Sequence, residues 1–254
     1  MGRDGLSPMS ARAPRFAIRR GAIAGDIARV TGDELHHLRD VMRLRAGDRV
    51  TLIADNGEIH EGAIERVEPA CATVAIARSY PNPPPRCRLI LAPGLIKAPR
   101  MDFLVEKAAE LGAVELWPLI CARSPARNPG VERLARWERI AVAAAKQSLA
   151  RVTIRIRPPL SVADMLRDAP KETSAVACEP GGEPLTAIIR RVRPSTLMLA
   201  CGPEGGFDPD EIAAMREAGF VAATLGPNRL RSETAALAAL SVAAAALDEI
   251  HRGS

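Results

Sequence analysis

The hydrophobic and polar positions of this chain follow two different periods. In Arg49–Ala54, Glu58–Val67 and 72–77 apolar and polar residues alternate, which predicts short strands with one face buried. Asp55-Asn56-Gly57 is a hairpin signal between the first two, and Glu68-Pro69 separates the second from the third. A small β-barrel is the economical reading of residues 1–80, with 1–8 patternless and expected to be a disordered extension. The proline-rich stretch from Tyr80 to Arg86, with residues 81–86 as the linker, reads as stiff polyproline II.

Beyond it, in 87–254, strand and helix patterns alternate. A short apolar run at 89–92 leads to 101–111, where Met101, Leu104, Val105, Ala108 and Leu111 share one helical face and Gly112 supplies the stop. Residues 113–120 read as a buried strand, and Leu134, Trp137, Ala141, Ala144 and Ser148 mark a long helix. Runs at 174–178, 197–201 and 220–225 complete at least five strands with helices between them. That order predicts an α/β domain with a mostly parallel sheet.

Composition narrows the class. No apolar run approaches the roughly eighteen residues of a membrane span, and the alanine-rich stretch 235–247 reads as a buried helix. The first twenty residues lack a hydrophobic signal core, so no membrane association and a cytoplasmic location are expected. Cys71, Cys87, Cys121, Cys178 and Cys201 form no C-x-x-C pair, which argues for reduced thiols and against a zinc site. A net charge of +5 is compatible with a nucleic-acid partner. The basic bias falls in the N-terminal third, at Arg12, Arg15, Arg19, Arg20, Arg39, Arg43, Arg45 and Arg49. Of these, Arg15, Arg39, Arg43 and Arg45 are candidate RNA phosphate contacts. One tyrosine and four phenylalanines argue against base stacking on an aromatic sheet.

The candidate chemistry lies in two glycine-proline blocks, each after an apolar run and each opening a helical pattern. The first, 201–212, reads C-G-P-E-G-G-F-D-P-D-E-I; Asp208, Pro209 and Glu211 compose a capping box. Its glycines let backbone approach a ligand, although a tight turn without a ligand has the same composition. Glu204 sits inside it and no lysine follows, which excludes a phosphate-binding P-loop and suits a neutral or cationic ligand. The second, 225–236, reads L-G-P-N-R-L-R-S-E-T-A-A; Ser232 is placed to cap and Glu233 to complement the helix dipole. Arg231 opposes that dipole, which makes it a candidate functional residue. His36, His37, His60 and His251 all fall outside these loops, and Ser232 and Thr234 lack a His/Asp partner. A catalytic histidine or covalent nucleophile is therefore not expected.

The paired patterns G-P-E-G-G-F and L-G-P-x-x-L-R-x-E-T-A-A resemble those of the RsmE family within the knotted SPOUT methyltransferases. The likeness covers almost the whole chain. His36-His37-Leu38 through Gly47-Asp48 is similar to that family's H-H-L-x-x-V-L-R-x-x-x-G-D segment. Lys97-x-x-Arg100-x-Asp102, Glu106 to Gly112, Arg123-Ser124, Arg136-Trp137 and Lys146-Gln147-Ser148 match further positions. Asn228-Arg229 stands where the family often has Arg-Ile, and Ala150, Arg151 and Ile154 depart from its usual arginine and proline. The resemblance implies a PUA-like β-barrel followed by an α/β trefoil-knot domain. It also implies S-adenosylmethionine-dependent methylation of N3 of a uridine in the decoding region of 16S ribosomal RNA.

It further implies cofactor contacts from Leu199, Ala200, Gly202, Pro203, Glu204, Gly205, Gly206, Leu225, Gly226, Asn228, Leu230, Arg231, Ser232, Thr234 and Ala235. Arg231 and Glu233 would be catalytic, and Lys97, Arg100 and Arg123 would join the barrel arginines in binding RNA. No metal is implied, and the expected partners are ribosomal RNA or the assembled small subunit, with a second copy forming a homodimer. Methylation of ribose 2′-OH or of transfer RNA, and a non-catalytic RNA-binding assembly factor, are the rival readings.

Overall fold

The computed structural model describes residues 13–55, 57–81, 85–125, 129–148 and 154–252. The expected extension at 1–8, Arg12, Asn56, the linker residues 82–84, Ala150, Arg151 and the side chain of Lys146 lie outside the described residues. The chain divides into two compact units, Met1–Pro83 and Pro84–Ser254.

The N-terminal unit contains β1 (Arg15–Ile18), β2 (Ile23–Ala24), β3 (Ile27–Val30), α1 (Gly32–His36), β4 (Arg49–Ala54), β5 (Glu58–Val67) and β6 (Ala72–Pro81). They form one six-stranded sheet in the order β1-β4-β5-β6-β3-β2, antiparallel except for β1 against β4. Alternation buries Phe16, Val50, Leu52, Ile64 and Val74 on one face, where Leu35 and Leu38 cover them. A single π-helical turn, His37–Val41, continues α1 and delivers the chain to Arg43, held at φ 55°. The three predicted strands are observed as β4, β5 and β6, the last continuing four residues past 77; β1, β2 and β3, which complete the sheet, were not predicted.

The C-terminal unit contains β7 (Arg88–Pro93), α2 (Ala98–Glu110), β8 (Glu115–Leu116), β9 (Leu119–Ile120), α3 (Gly130–Ser148), β10 (Arg155–Ile156), β11 (Leu160–Ser161), α4 (Val162–Asp168), β12 (Ser174–Pro184), α5 (Leu185–Val192), β13 (Thr196–Cys201), α6 (Pro209–Glu217), β14 (Val221–Thr224) and α7 (Ser232–Arg252). Six strands pair in the order β10-β8-β7-β13-β12-β14, every ladder parallel. Helices cover both faces, as an all-parallel sheet requires. Leu89, Leu91, Leu197 and Leu199 pack against α2, α3, α5 and α7, while Ile90, Ala92, Met198 and Ala200 meet α4 and α6. Each of the buried leucine, isoleucine and methionine side chains contributes roughly 1.5–3 kcal/mol, and the alanines less.

The α2–α3 packing explains two motif matches. Asp102 accepts from Arg136 Nε at 2.8 Å and from Trp137 Nε1 at 2.9 Å, joining the helices through one carboxylate. The single strand expected at 113–120 is instead two: β8 stays in the main sheet and β9 pairs with β11 apart from it. Pro118, between them, has no N–H to continue a ladder.

Candidate active site

β13, β12 and β14 are adjacent, yet they are not in chain order. β14 follows β13 in sequence but pairs on the far side of β12, so the loops leaving β13 and β14 flank the end of β12. Ligands in such sheets bind outside the carboxyl ends of the strands. The three ends here enclose a cavity of about 1150 Å³.

The first glycine-proline block forms one wall. Gly206, at φ 72°, donates its N–H to the Pro203 carbonyl at 2.8 Å and turns the loop. A Cβ on Gly202 would lie 2.9 Å from the Phe207 nitrogen, so this turn is closed too tightly for any side chain there. The expected capping box is present: Asp208 accepts from the Asp210 N–H at 3.2 Å, and Glu211 accepts from the Asp208 N–H at 2.8 Å. The other Glu211 oxygen accepts from the Ala122 N–H at 2.8 Å.

Two arginines fix this wall from outside. Arg123 donates to the Gly205 carbonyl and to Asp208, both at 3.2 Å. Arg100, on α2, lies 3.5 Å from Glu204 and 3.7 Å from Glu233. Both were expected among RNA contacts; in the structure each guanidinium engages the loops while staying partly exposed. Lys97 precedes α2 and is exposed.

The second block forms the opposite wall. Thr224 Oγ1 accepts from the Gly226 N–H at 3.3 Å, and Gly226 has φ 129°. Ala235 donates its N–H to the Arg231 carbonyl at 2.8 Å, so Arg231 occupies the cap position and Ser232 begins the helix rather than preceding it. Arg231 lines the cavity and is exposed.

Gly202, Pro203, Glu204, Gly205, Gly206, Leu225, Gly226, Asn228, Leu230, Arg231, Ser232 and Ala235 all line the cavity, as does Arg229. Leu199, Ala200 and Thr234 do not: the first two are fully buried inside β13 between the helical layers, and Thr234 is exposed on α7. Glu233 is also absent from the lining. Its side chain, 13% exposed, is turned to Arg100, and its Oε2 is buried without a hydrogen-bond partner.

The sequence reading missed a third wall. Cys178, Glu179, Pro180 and Gly181 line the cavity from the end of β12, where the expected strand stopped at 178. The signal was available as a further Pro-Gly-Gly block after an apolar run. Cys178 is in register with Cys201 on β13; their contact and burial push the Cys201 thiol well above its usual range. Burial alone raises the Glu179 carboxyl. Burial also pushes the Cys121 thiol up to about 12 and that of Cys87 to about 11, so neither is a nucleophile near neutral pH.

In the N-terminal unit, Arg43 and Arg45 are exposed and Arg15 sits half-buried in β1. Arg39 donates to Asp40 at 2.7 Å and to the Pro69 carbonyl at 2.8 Å; Asp40 is held down at about 2 by that arginine.

A model of the RNA methyltransferase domain matches residues 82–244, and one of the RNA methyltransferase PUA domain matches residues 30–70. The chain is 32% identical to ribosomal RNA small subunit methyltransferase E of Mycobacterium bovis over 224 residues, covering 85% of each. It is 30% identical to the Bacillus subtilis protein of that name, covering 84% of this chain and 87% of the relative. The crystal structure of the Neisseria gonorrhoeae protein of the same name, bound to S-adenosyl methionine, aligns with TM-score 0.71 and 29% identity. That alignment covers 91% of this chain and 96% of the other.

Proposed function

Because the chain belongs to the RNA methyltransferase family that carries a PUA domain, we propose that it methylates N3 of a uridine in 16S ribosomal RNA, using S-adenosylmethionine. The observation that carries the proposal is the cavity itself, whose opposite walls are the two blocks that resemble the family's. Its residues fit the cofactor. Closely turned glycine backbone offers amides and carbonyls, Leu225 and Leu230 offer apolar surface, and carboxylates and guanidinia face a ligand bearing both signs of charge. The cofactor supplies a methyl group activated on a positively charged sulfur.

What the protein adds is alignment and charge stabilisation. The uracil N3–H must give up its proton, which spreads negative charge onto the flanking carbonyl oxygens. Arg231, in the cavity lining, is assigned to stabilise that charge as it develops. Glu233 faces Arg100 behind the loop, so we assign it to holding the wall and leave proton acceptance to solvent. N3 lies on the pairing edge, so the uridine must be unpaired or flipped out. The same proposal includes RNA binding by the N-terminal unit through Arg15, Arg43 and Arg45, a trefoil path of the C-terminal segment, a homodimer and a cytoplasmic location.

The test is incubation with methyl-labelled S-adenosylmethionine and either naked 16S ribosomal RNA or small subunits, followed by nucleoside mapping. Label in 3-methyluridine is expected. Label in a 2′-O-methyl nucleoside, or none in any RNA, would overturn the assignment.

A further inference from the structure

The third wall of the cavity is a built feature rather than a strand end that happens to be nearby. β12 leaves its ladder with β14 at Cys178, paired with Ala223, and rejoins it at Glu183, paired with the same Ala223. Residues 179–182 are therefore looped out of the sheet, and such excursions re-aim side chains beside functional sites. The loop is rigidly seated. A Cβ on Gly182 would lie 2.5 Å from the Ala222 carbonyl group, and Gly181 has φ 81°. The result is that Glu179 lines the cavity at the start of a loop whose far end, at Gly182, is held against the β14 backbone.

Glu204 has Arg100 beside it, and Arg123 has Asp208. Arg229 and Arg231 also line the cavity, but among the described residues neither is ion-paired to Glu179. Glu179 has no comparable partner among the described residues: it is half-buried, and burial is the one influence acting on its carboxyl. A half-buried carboxylate without a cation is costly unless a ligand supplies the positive charge.

Resting on the reading of this cavity as the S-adenosylmethionine site, we infer that Glu179 is the counter-charge for the cofactor's positive groups and selects for a cationic ligand. The cofactor carries two such groups, the sulfonium and the α-ammonium. A charge-assisted contact of this kind changes affinity by roughly ten- to a hundredfold.

The test is calorimetric binding of three ligands to the full chain and to Glu179→Gln. S-adenosylmethionine has both cations, S-adenosylhomocysteine only the ammonium, and 5′-methylthioadenosine neither. The substitution is expected to weaken S-adenosylmethionine roughly ten- to a hundredfold and leave methylthioadenosine within about twofold. Weakening of S-adenosylmethionine alone assigns the sulfonium as the partner; weakening of S-adenosylhomocysteine as well assigns the ammonium. Equal weakening of all three, or of none, would overturn the inference, because a ribose contact or a structural role does not distinguish ligand charge. A wild-type chain that binds none of the three defeats the reading of the site as well, and is recognisable as that separate failure.

Discussion

Replacing Arg100 with glutamine removes the one cation seen beside both Glu204 and Glu233. Two unit charges about 4 Å apart attract by about 4 kcal/mol at an effective dielectric of 20 and by about 1 kcal/mol in water. Arg100 and Glu204 are 41% and 33% exposed, so their 3.5 Å contact belongs near the lower figure or below it. Glu233 differs: at 13% exposure, with Oε2 buried and unpartnered, it would be stranded by the loss of the guanidinium 3.7 Å away. Stranding a mostly buried carboxylate costs about 1–3 kcal/mol, which makes about 2 kcal/mol the expected loss for Arg100→Gln. In a domain of this size that lowers Tm by about 4–8 °C. The chain's two tryptophans, Trp117 and Trp137, both lie in the C-terminal unit, so their fluorescence follows its unfolding alone. The decisive measurement is a double-mutant cycle with Glu233→Gln, in which a coupling of about 1 kcal/mol or more is expected. Additivity within about 0.5 kcal/mol would refute the argument that Arg100 stabilises the loop through Glu233.

Three further outcomes follow from other parts of the molecule. Gly94→Ala, outside the cavity lining, places a Cβ 2.6 Å from the Pro203 ring and nitrogen, so it should displace the first wall. A loss of about 1–3 kcal/mol in stability with weakened S-adenosylmethionine binding is expected; unchanged affinity would show that the wall does not depend on this contact. Arg231→Ala should lower kcat by about a hundred- to a thousandfold with cofactor Kd little changed; near-normal turnover removes Arg231 from the mechanism. His60 is buried, its Nε2 lacks a hydrogen-bond partner and burial lowers its pKa. The unfolded chain therefore takes up this proton near pH 6.5 while the folded chain does so only at lower pH. Stability should fall as pH drops below about 6.5 and level off once the folded ring protonates. Urea midpoints followed through Tyr80 should show this acid loss reduced in His60→Gln.

Much of this architecture is written locally. The capping box at Asp208 and Glu211, the apolar face from Met101 to Ala108 and the strands β4 and β5 all depend on neighbours a few residues apart, so pattern and propensity suffice to find them. What escaped the sequence is set by partners far along the chain. Arg123 and Arg100 look like surface cations until the fold brings Gly205 and Glu204 to them, across 82 and 104 positions respectively. The Pro-Gly-Gly block at 180–182 signals a break in the strand, but that Gly182 passes the Ala222 backbone is set by a partner forty residues on. Leu199 and Ala200 are buried in β13 and do not line the cavity, because proximity to a motif does not reveal which strand residues are enclosed on both faces.

The out-of-order arrangement of β13, β12 and β14 also bears on when the site comes into being. No two walls of the cavity come from strands joined by a hairpin; each ladder between them is parallel and closes only after an intervening helix has been laid down. Such pairings are made late and together, since loop closure precedes any contact that rewards it. A nascent or truncated chain ending before β14 would lack one wall entirely, so half a site has no partial competence. Conversely, any ligand filling the cavity stabilises the assembled sheet by mass action and leaves earlier species untouched. Ligand-dependent protection of the C-terminal unit would therefore report on the assembled sheet, since all three walls must be in place to form the cavity.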